Sequence, residues 1–503
     1  MTNLTSPTSD QPVIATSHSG RLFIAGTCSD AGKSIITAGL CRIFKQDGLS
    51  PAPYKAQNMS LNSYATPEGL EIGRAQAVQA EACGIACHTD MNPVLLKPTG
   101  DLNSQVIVNG KPVGNRSAKE YFTSEHQKPL FDKAYEAFER LASRYNPIVM
   151  EGAGSIAELN LRHRDIVNMP MALRVGASVI LVTDIERGGV FASVYGSIML
   201  LPPNERALIK GIIINKFRGD ISLFDEGRRI IEEITGIPVL GVVPWFNHIH
   251  IEEEDSVALA KKQNSAIDGL INICVVALPR MSNYTDFGML QRINGVNLYF
   301  SADARQVQRA DVMILPGSKN TIGDLEFLHQ SGLADIIADA RHNGKTVVGI
   351  CGGYQMMGRL VRDPHHIEGD VTVSIGLGLL PIDTIIEKEK ATRQVTFRFR
   401  NAAEECRGYE IHMGITTADH HSQPVNQMPD GSRDGVWVDE CCWGTYMHGI
   451  FDNVAAIRSL LQPFGVDTNQ LEDYFHYKER QYDLLADHLR GCLNIDAIYR
   501  LIR

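Results

Sequence analysis

No stretch of this chain is apolar for long enough to span a bilayer, which excludes a helical membrane protein. Residues 1–20 are rich in Ser, Thr and Pro and lack an apolar h-region. They read as a disordered N-terminal tail rather than a signal peptide. The ten cysteines are scattered and none is read as part of a zinc knuckle; Cys83 and Cys87 fall on a predicted helix. Reduced thiols and a cytoplasmic protein are therefore expected. A formal net charge of −10 argues against nonspecific nucleic-acid binding, so neither nucleic acid nor membrane is an expected partner. What the chain does have is 44% hydrophobic residues, ample for packed cores. Its 503 residues suggest about three domains, or fewer large ones.

The chain is organised around Gly26-Thr27-Cys28-Ser29-Asp30-Ala31-Gly32-Lys33-Ser34. This stretch follows the apolar run Leu22-Phe23-Ile24-Ala25 and precedes an amphipathic segment from Ile35 to Phe44, in the order strand, glycine-rich turn, helix. Such a turn points consecutive N–H groups at a phosphate seated on a helix N-terminus. Lys33 would reach the β- and γ-phosphates, and the Ser34 hydroxyl would ligate Mg²⁺. The spacing G-x-x-x-x-G-K-[ST] is off by one, because Thr27 stands where a glycine should and Gly26 comes one residue early.

Pro51 to Lys55 predicts a second strand, which ends in Lys55 and the polar loop Gln57-Asn58-Met59-Ser60-Leu61-Asn62-Ser63. A lysine there lies on the edge where α/β sheets bind ligands. A strand from Pro147 ends in Glu151, an acid suited to holding Mg²⁺ opposite Ser34. Further strands end at Asp184, Asn215 and Pro244. Near-continuous Val, Ile and Leu alternating with helices predict a parallel sheet covered on both faces. The acidic, polar segment 251–269 reads as a linker after a first domain over 21–250.

A second domain is predicted over 270–460, followed by a helical C-terminal segment, 461–503, assigned to packing. Its strand Thr346 to Ile350 runs into Cys351-Gly352-Gly353, so that Gly349-Ile350-Cys351-Gly352-Gly353 has the form of a nucleophile elbow. Backbone N–H groups from Gly352 and from the Gly317 loop would form an oxyanion hole. His448, after a strand in Trp443 to Phe451, is the candidate base. His412, His420 and His421 are weaker candidates in polar or turn-rich context. The fold class expected is α/β, two doubly wound, mainly parallel-sheet domains with a helical tail.

These motifs together resemble the cobyric acid synthase family, glutamine-dependent amide ligases of cobalamin biosynthesis. The resemblance runs from Leu22 to about Asn453. It is carried by the P-loop with its extra residue, Lys55 to Ser63, Asp165 to Met169, Asp184 to Ser193, Ile214 to Asp220, Leu315 to Thr321, Gly408 to Gly414 and Gly444 to Asn453. The first half resembles dethiobiotin-synthetase-type P-loop proteins, the second class I glutamine amidotransferases. The resemblance implies ATP, Mg²⁺ and glutamine, and as substrate the corrinoid adenosylcobyrinic acid a,c-diamide, amidated at its b, d, e and g carboxylates through acyl phosphates. It also implies an adenine contact for Asn215. For the anionic corrinoid, Arg74, Lys97, Arg162 and Arg164 are candidate contacts. Ordinary triad amidotransferases carry His-x-Glu, but Ile450 stands two residues after His448, and Glu410 is a candidate replacement. Two alternatives are the synthase that makes the a,c-diamide itself and a partitioning-type P-loop ATPase switch. Gln57-Asn58-Met59, in place of an acidic Gly-Pro-Asp type segment, argues against the first. The Cys351 half argues against the second.

Overall fold

The computed structural model describes residues 20–100, 103–121, 123–252, 264–468 and 471–503. All but Gly20 of the tail expected over residues 1–20, and most of the expected linker, lie outside the described residues. The strand Arg21–Gly26 sits inside a six-stranded sheet, in the order Val239–Pro244, Ile209–Phe217, Ser178–Asp184, Arg21–Gly26, Ile148–Glu151, Ala52–Tyr54. Every pairing in it is parallel. These strands are apolar on both faces because helices cover both, and Leu22, Ile24, Val149, Ile180, Val182 and Ile213 are fully buried. Lys33–Gln46 follows the first strand and Arg74–Cys83 follows the second.

The second half repeats the plan. Its six strands run in the order Val296–Ser301, Ile271–Val276, Val312–Leu315, Thr346–Ile350, Cys442–Thr445, Val436–Asp439. Only the last pair is antiparallel. Both sheets thus present the carboxyl ends of their central strands as ligand edges.

Two features depart from the sequence expectation. Gln57–Met59 is a short strand rather than loop. It pairs with Val94–Pro98, and Asn103–Val108 and Lys111–Ser117 complete a four-stranded sheet. The helices Ala118–Tyr121 and Ser124–Ala142 follow that sheet. In the second half, Ile382–Phe399 and Cys406–Ala418 form a long antiparallel hairpin. Many of its side chains are exposed and charged, so it carries little of the apolar alternation by which a strand is read.

That hairpin joins the two halves. Gln394 donates to the Ala65 carbonyl (2.9 Å), Lys390 pairs with Glu71, and Tyr409 packs edge-on against Tyr64 with ring centroids 4.5 Å apart. The chain leaving the first domain is not solvated either. Glu252 is buried against Arg74 (2.6 Å) and accepts from the Tyr474 hydroxyl (2.7 Å).

The C-terminal helix Tyr474–Cys492 folds back on the first domain and packs along Lys33–Gln46. Arg42 pairs with Glu479 (2.9 Å) and Asp483 (2.7 Å). Beneath them Gly39 is so close to the helix that a Cβ would come within 2.3 Å of Leu489. Leu485, fully buried in the same seam, has no room to be replaced by water. Leu485→Ala is expected to cost about 2–5 kcal/mol, read as a lower urea midpoint for unfolding of the nucleotide-binding half.

Candidate active sites

In the first half the loop between the central strand and Lys33–Gln46 is shaped by contacts that admit little else. Gly32 has φ +96°, and a Cβ there would lie 2.0 Å from the Asn215 amide nitrogen. That amide donates to the Ala31 carbonyl (2.9 Å) and braces the loop from the end of Ile209–Phe217. Thr27 donates to Thr183 on the neighbouring strand (3.1 Å). Lys33 folds over its own loop, donating to the carbonyls of Cys28 and Gly154, both at 3.0 Å.

Glu151 gathers the polar groups. Its Oε1 accepts from the Ser34 hydroxyl (2.7 Å) and from Lys55 Nζ (3.1 Å), and its Oε2 accepts from Gln79 (2.6 Å). Burial alone would raise its pKa, but Lys55, the hydrogen bonds from Ser34 and Gln79, and Lys33 hold it below the ordinary glutamate value. An ionised carboxylate beside a serine hydroxyl at the end of a P-loop is a hard oxygen donor set, and it fits Mg²⁺ shared with phosphate oxygens.

Thr27, Ser29, Gly32, Lys33, Ser34, Lys55, Glu151 and Asn215 all line one cavity of about 1050 Å³. Gly26 stands behind it, where a Cβ would meet Lys33 Nζ at 2.8 Å. The cavity runs well beyond the loop, to Arg162, Arg164, Trp245 and Phe246. Arg162 there pairs with Glu205 (2.5 Å). Arg74 and Lys97 do not line it: the one is held by Glu252, the other by Glu71 and Ser63, both at 2.8 Å.

The second centre is built on backbone strain. Cys351 has φ +51° and ψ −108° between the strand Thr346–Ile350 and the short helix Gly352–Met356. A Cβ at Gly353 would lie 2.0 Å from the Leu315 carbonyl oxygen, and one at Gly349 would lie 2.7 Å from Tyr354 N. Glycine on both sides is what lets the turn close. The Cys351 thiol donates to the Ile411 carbonyl (3.6 Å) and lies near enough to His448 to raise its pKa. Of the turn Gly317–Ser318, it is Ser318 N that lies against the elbow, 2.8 Å from where a Gly352 Cβ would stand. Gly317 instead packs on the His448 ring.

His448 follows the strand Cys442–Thr445 and is almost wholly buried, stacked on Tyr409. Its Nδ1 lies 2.6 Å from Asp286 Oδ2, and Asp286 Oδ1 accepts from Gly449 N (3.1 Å). Burial works against a charged ring. The Asp286 carboxylate and Cys351 outweigh it and push the pKa of His448 up to about 10. The group orienting the base is therefore Asp286 and not Glu410, which is bound to Arg393 (2.5 Å). Asp286 escaped the sequence reading because it lies 162 residues before His448. The one local signal was an acid set between Tyr284 and Phe287 just past a strand.

The other histidines are not bases here. His412 is half-buried, stacked on Tyr446 and pushed down to about 4 by desolvation, while His420 and His421 are exposed.

The polar run after Lys55 connects the centres. Asn62 Oδ1 accepts from Tyr284 N (3.2 Å), and Ser63 N donates to Asn283 Oδ1 (2.9 Å). Asn283 in turn places its amide nitrogen 3.3 Å from His448 Nε2. A loop that reads as part of the first site thus ends against the second.

A P-loop site and a Cys–His–Asp site on two α/β domains of one chain define an amide ligase of the glutamine amidotransferase class. The comparisons agree. Residues 22–257 match the CobQ/CobB/MinD/ParA nucleotide binding domain, and residues 272–456 match the CobB/CobQ-like glutamine amidotransferase domain. A cobyric acid synthase of Parabacteroides distasonis is 58% identical over 97% of this chain and 99% of its own length. Those of Bacteroides fragilis and Syntrophobacter fumaroxidans are 57% and 47% identical, each over 96% of this chain and 98% of their own. The chain belongs to the cobyric acid synthase family, and it is an enzyme. Among the described residues, no helix is long and apolar enough to cross a membrane.

Asp286→Asn is expected to lower glutamine hydrolysis on the order of 100-fold. In the wild type the imidazolium persists until pH rises through about 10. Without the carboxylate its pKa falls, so the alkaline limb of the kcat/KM profile for hydrolysis should move to lower pH. A profile unchanged in shape would mean that Asp286 does not hold the charge on His448.

Proposed function

We propose that this enzyme amidates the b, d, e and g carboxylates of adenosylcobyrinic acid a,c-diamide, using ATP and ammonia released from glutamine. The observation that carries the reading is the continuous stretch from Lys55, at the phosphate-facing carboxylate, to Ser63, against the segment that holds His448. It gives one chain two chemistries with a shared wall.

At the second centre the Cys351 thiolate attacks the side-chain carbonyl carbon of glutamine. The oxyanion that forms is met by the N–H groups of Gly352 and the Gly317–Ser318 turn. His448, held as imidazolium by Asp286, gives its proton to the departing nitrogen, and ammonia leaves. It then takes a proton from water as the glutamyl thioester is hydrolysed.

At the first centre a corrinoid carboxylate attacks the γ-phosphorus of ATP and ADP departs. The acyl phosphate now carries a leaving group, and ammonia displaces phosphate to give the amide. Lys33 and Lys55 offset the charge that gathers on the transferred phosphoryl group. Ser34 and Glu151 would hold Mg²⁺, which when bound neutralises phosphate charge. Asn215 would contact adenine only from its place beneath the loop. The cavity that continues past the phosphate site to Arg162, Arg164 and Trp245 has the breadth for a macrocycle, and Arg164 offers a cation to its carboxylates.

Lys33→Ala should abolish amide formation from glutamine and from ammonium alike, followed by mass spectrometry of the corrinoid. Wild-type-like turnover would remove Lys33 from the phosphate site. Cys351→Ala should eliminate glutamine-dependent synthesis but retain ATP-dependent amidation in high ammonium chloride at mildly alkaline pH. Adding His448→Ala should cost little more, since the two act as a unit. Glutamine-dependent product from Cys351→Ala would refute the nucleophile.

A further inference from the structure

The cavity beside Cys351 contains three lysines and one acid that the amide-forming chemistry does not use: Lys97, Lys319, Lys390 and Glu368. Two of the lysines are spoken for. Lys97 and Lys390 both bind Glu71, which crosses from the first domain, and Lys97 also donates to Ser63. Lys319 is different. It sits in Leu315-Pro316-Gly317-Ser318-Lys319-Asn320-Thr321, one residue after the turn that packs on the Cys351 elbow. Among the described residues its ammonium has no hydrogen-bond or ion-pair partner, although the group is deep enough for burial to lower its pKa. Glu368 and Glu71 act on this half-buried ammonium through space without touching it, so a ligand carboxylate can still pair with it directly.

Glu368 faces the same cavity. One carboxylate oxygen accepts from Ile322 N (3.0 Å), and burial pushes its pKa up to about 7. The pocket therefore offers one cation and one carboxylate that lack full charge compensation, within side-chain reach of a nucleophile. That is the complement of a zwitterion whose third group is an amide.

We infer that Lys319 binds the α-carboxylate of glutamine and Glu368 its α-ammonium, so that the two select an intact amino acid. The inference rests on Cys351 being the nucleophile of glutamine hydrolysis. Geometry favours this ligand over a phosphate, because the site sets a carboxylate, Glu368, alongside the open ammonium of Lys319, while Lys97 and Lys390 are both bound to Glu71.

The test compares hydrolysis of L-glutamine with L-glutaminamide, which lacks the α-carboxylate, and with glutaramate, which lacks the α-ammonium. The free side-chain carboxylate formed is followed in each case. The wild type should prefer L-glutamine to either analogue by about 100-fold or more in kcat/KM. Lys319→Met should lower kcat/KM for glutamine about 100-fold, mainly through KM, and change glutaminamide little, so that the preference collapses. Lys319→Arg should recover part of it. Glu368→Gln should erode the preference over glutaramate selectively. Retained discrimination in Lys319→Met would overturn the assignment. So would a parallel loss with both substrates, which would make Lys319 a support for the thiolate or the fold. The underlying reading fails separately, if Cys351→Ala still hydrolyses glutamine.

Discussion

Glu151 is the carboxylate on which the first half depends. It is buried at the end of a central strand and stays ionised because Ser34, Lys55 and Gln79 converge on it from three different elements. Removing any one partner would leave a buried charge short of compensation, which costs several kcal/mol in such settings. That demand fixes the P-loop helix, the second strand and the following helix relative to each other. It also fixes where the chain departs from Lys55, and hence where Asn62 and Ser63 arrive.

They arrive at the other half's own charge problem. His448 is buried, and a proton on it is stable because Asp286 stands 2.6 Å away and Cys351 lies beside it. Asp286 lies on the turn Tyr284–Phe287, whose first N–H bonds Asn62 and whose preceding residue, Asn283, bonds Ser63. Asn283 holds φ +52°, an unusual conformation for a side-chain-bearing residue, and the contacts on both sides keep it there. Cys351 and His448 are thus positioned by a segment that the nucleotide-binding domain grips.

Charge pairing across the interface does the rest. Glu71, held by Lys97 of its own domain, pairs with Lys390 of the other, and the hairpin carrying Lys390 packs its Tyr409 on both Tyr64 and His448. Glu71 is held well below the ordinary glutamate range by these lysines despite its burial, while burial pushes Lys390 down to about 8. The C-terminal helix ties back to the first domain through Arg42, Leu485 and Leu489.

Much of this was legible in the residues alone. The strand–loop–helix order around Gly26 to Ser34, the acid at the tip of Ile148–Glu151 and the glycine-flanked Cys351 follow from local rules: a phosphate loop or a nucleophile elbow needs particular residues at fixed short spacings. The parallel sheets followed from apolar runs that only double burial tolerates. Asp286 was not legible, nor was the turn of Ser318 in place of Gly317 toward the elbow. Nor was the capture of Arg74 by Glu252 and of Lys97 by Glu71, because each depends on which segments the fold brings within a few ångströms. Short-range chemistry is written in spacing along the chain. The partner of a buried charge is chosen by packing, and only the tertiary structure decides it.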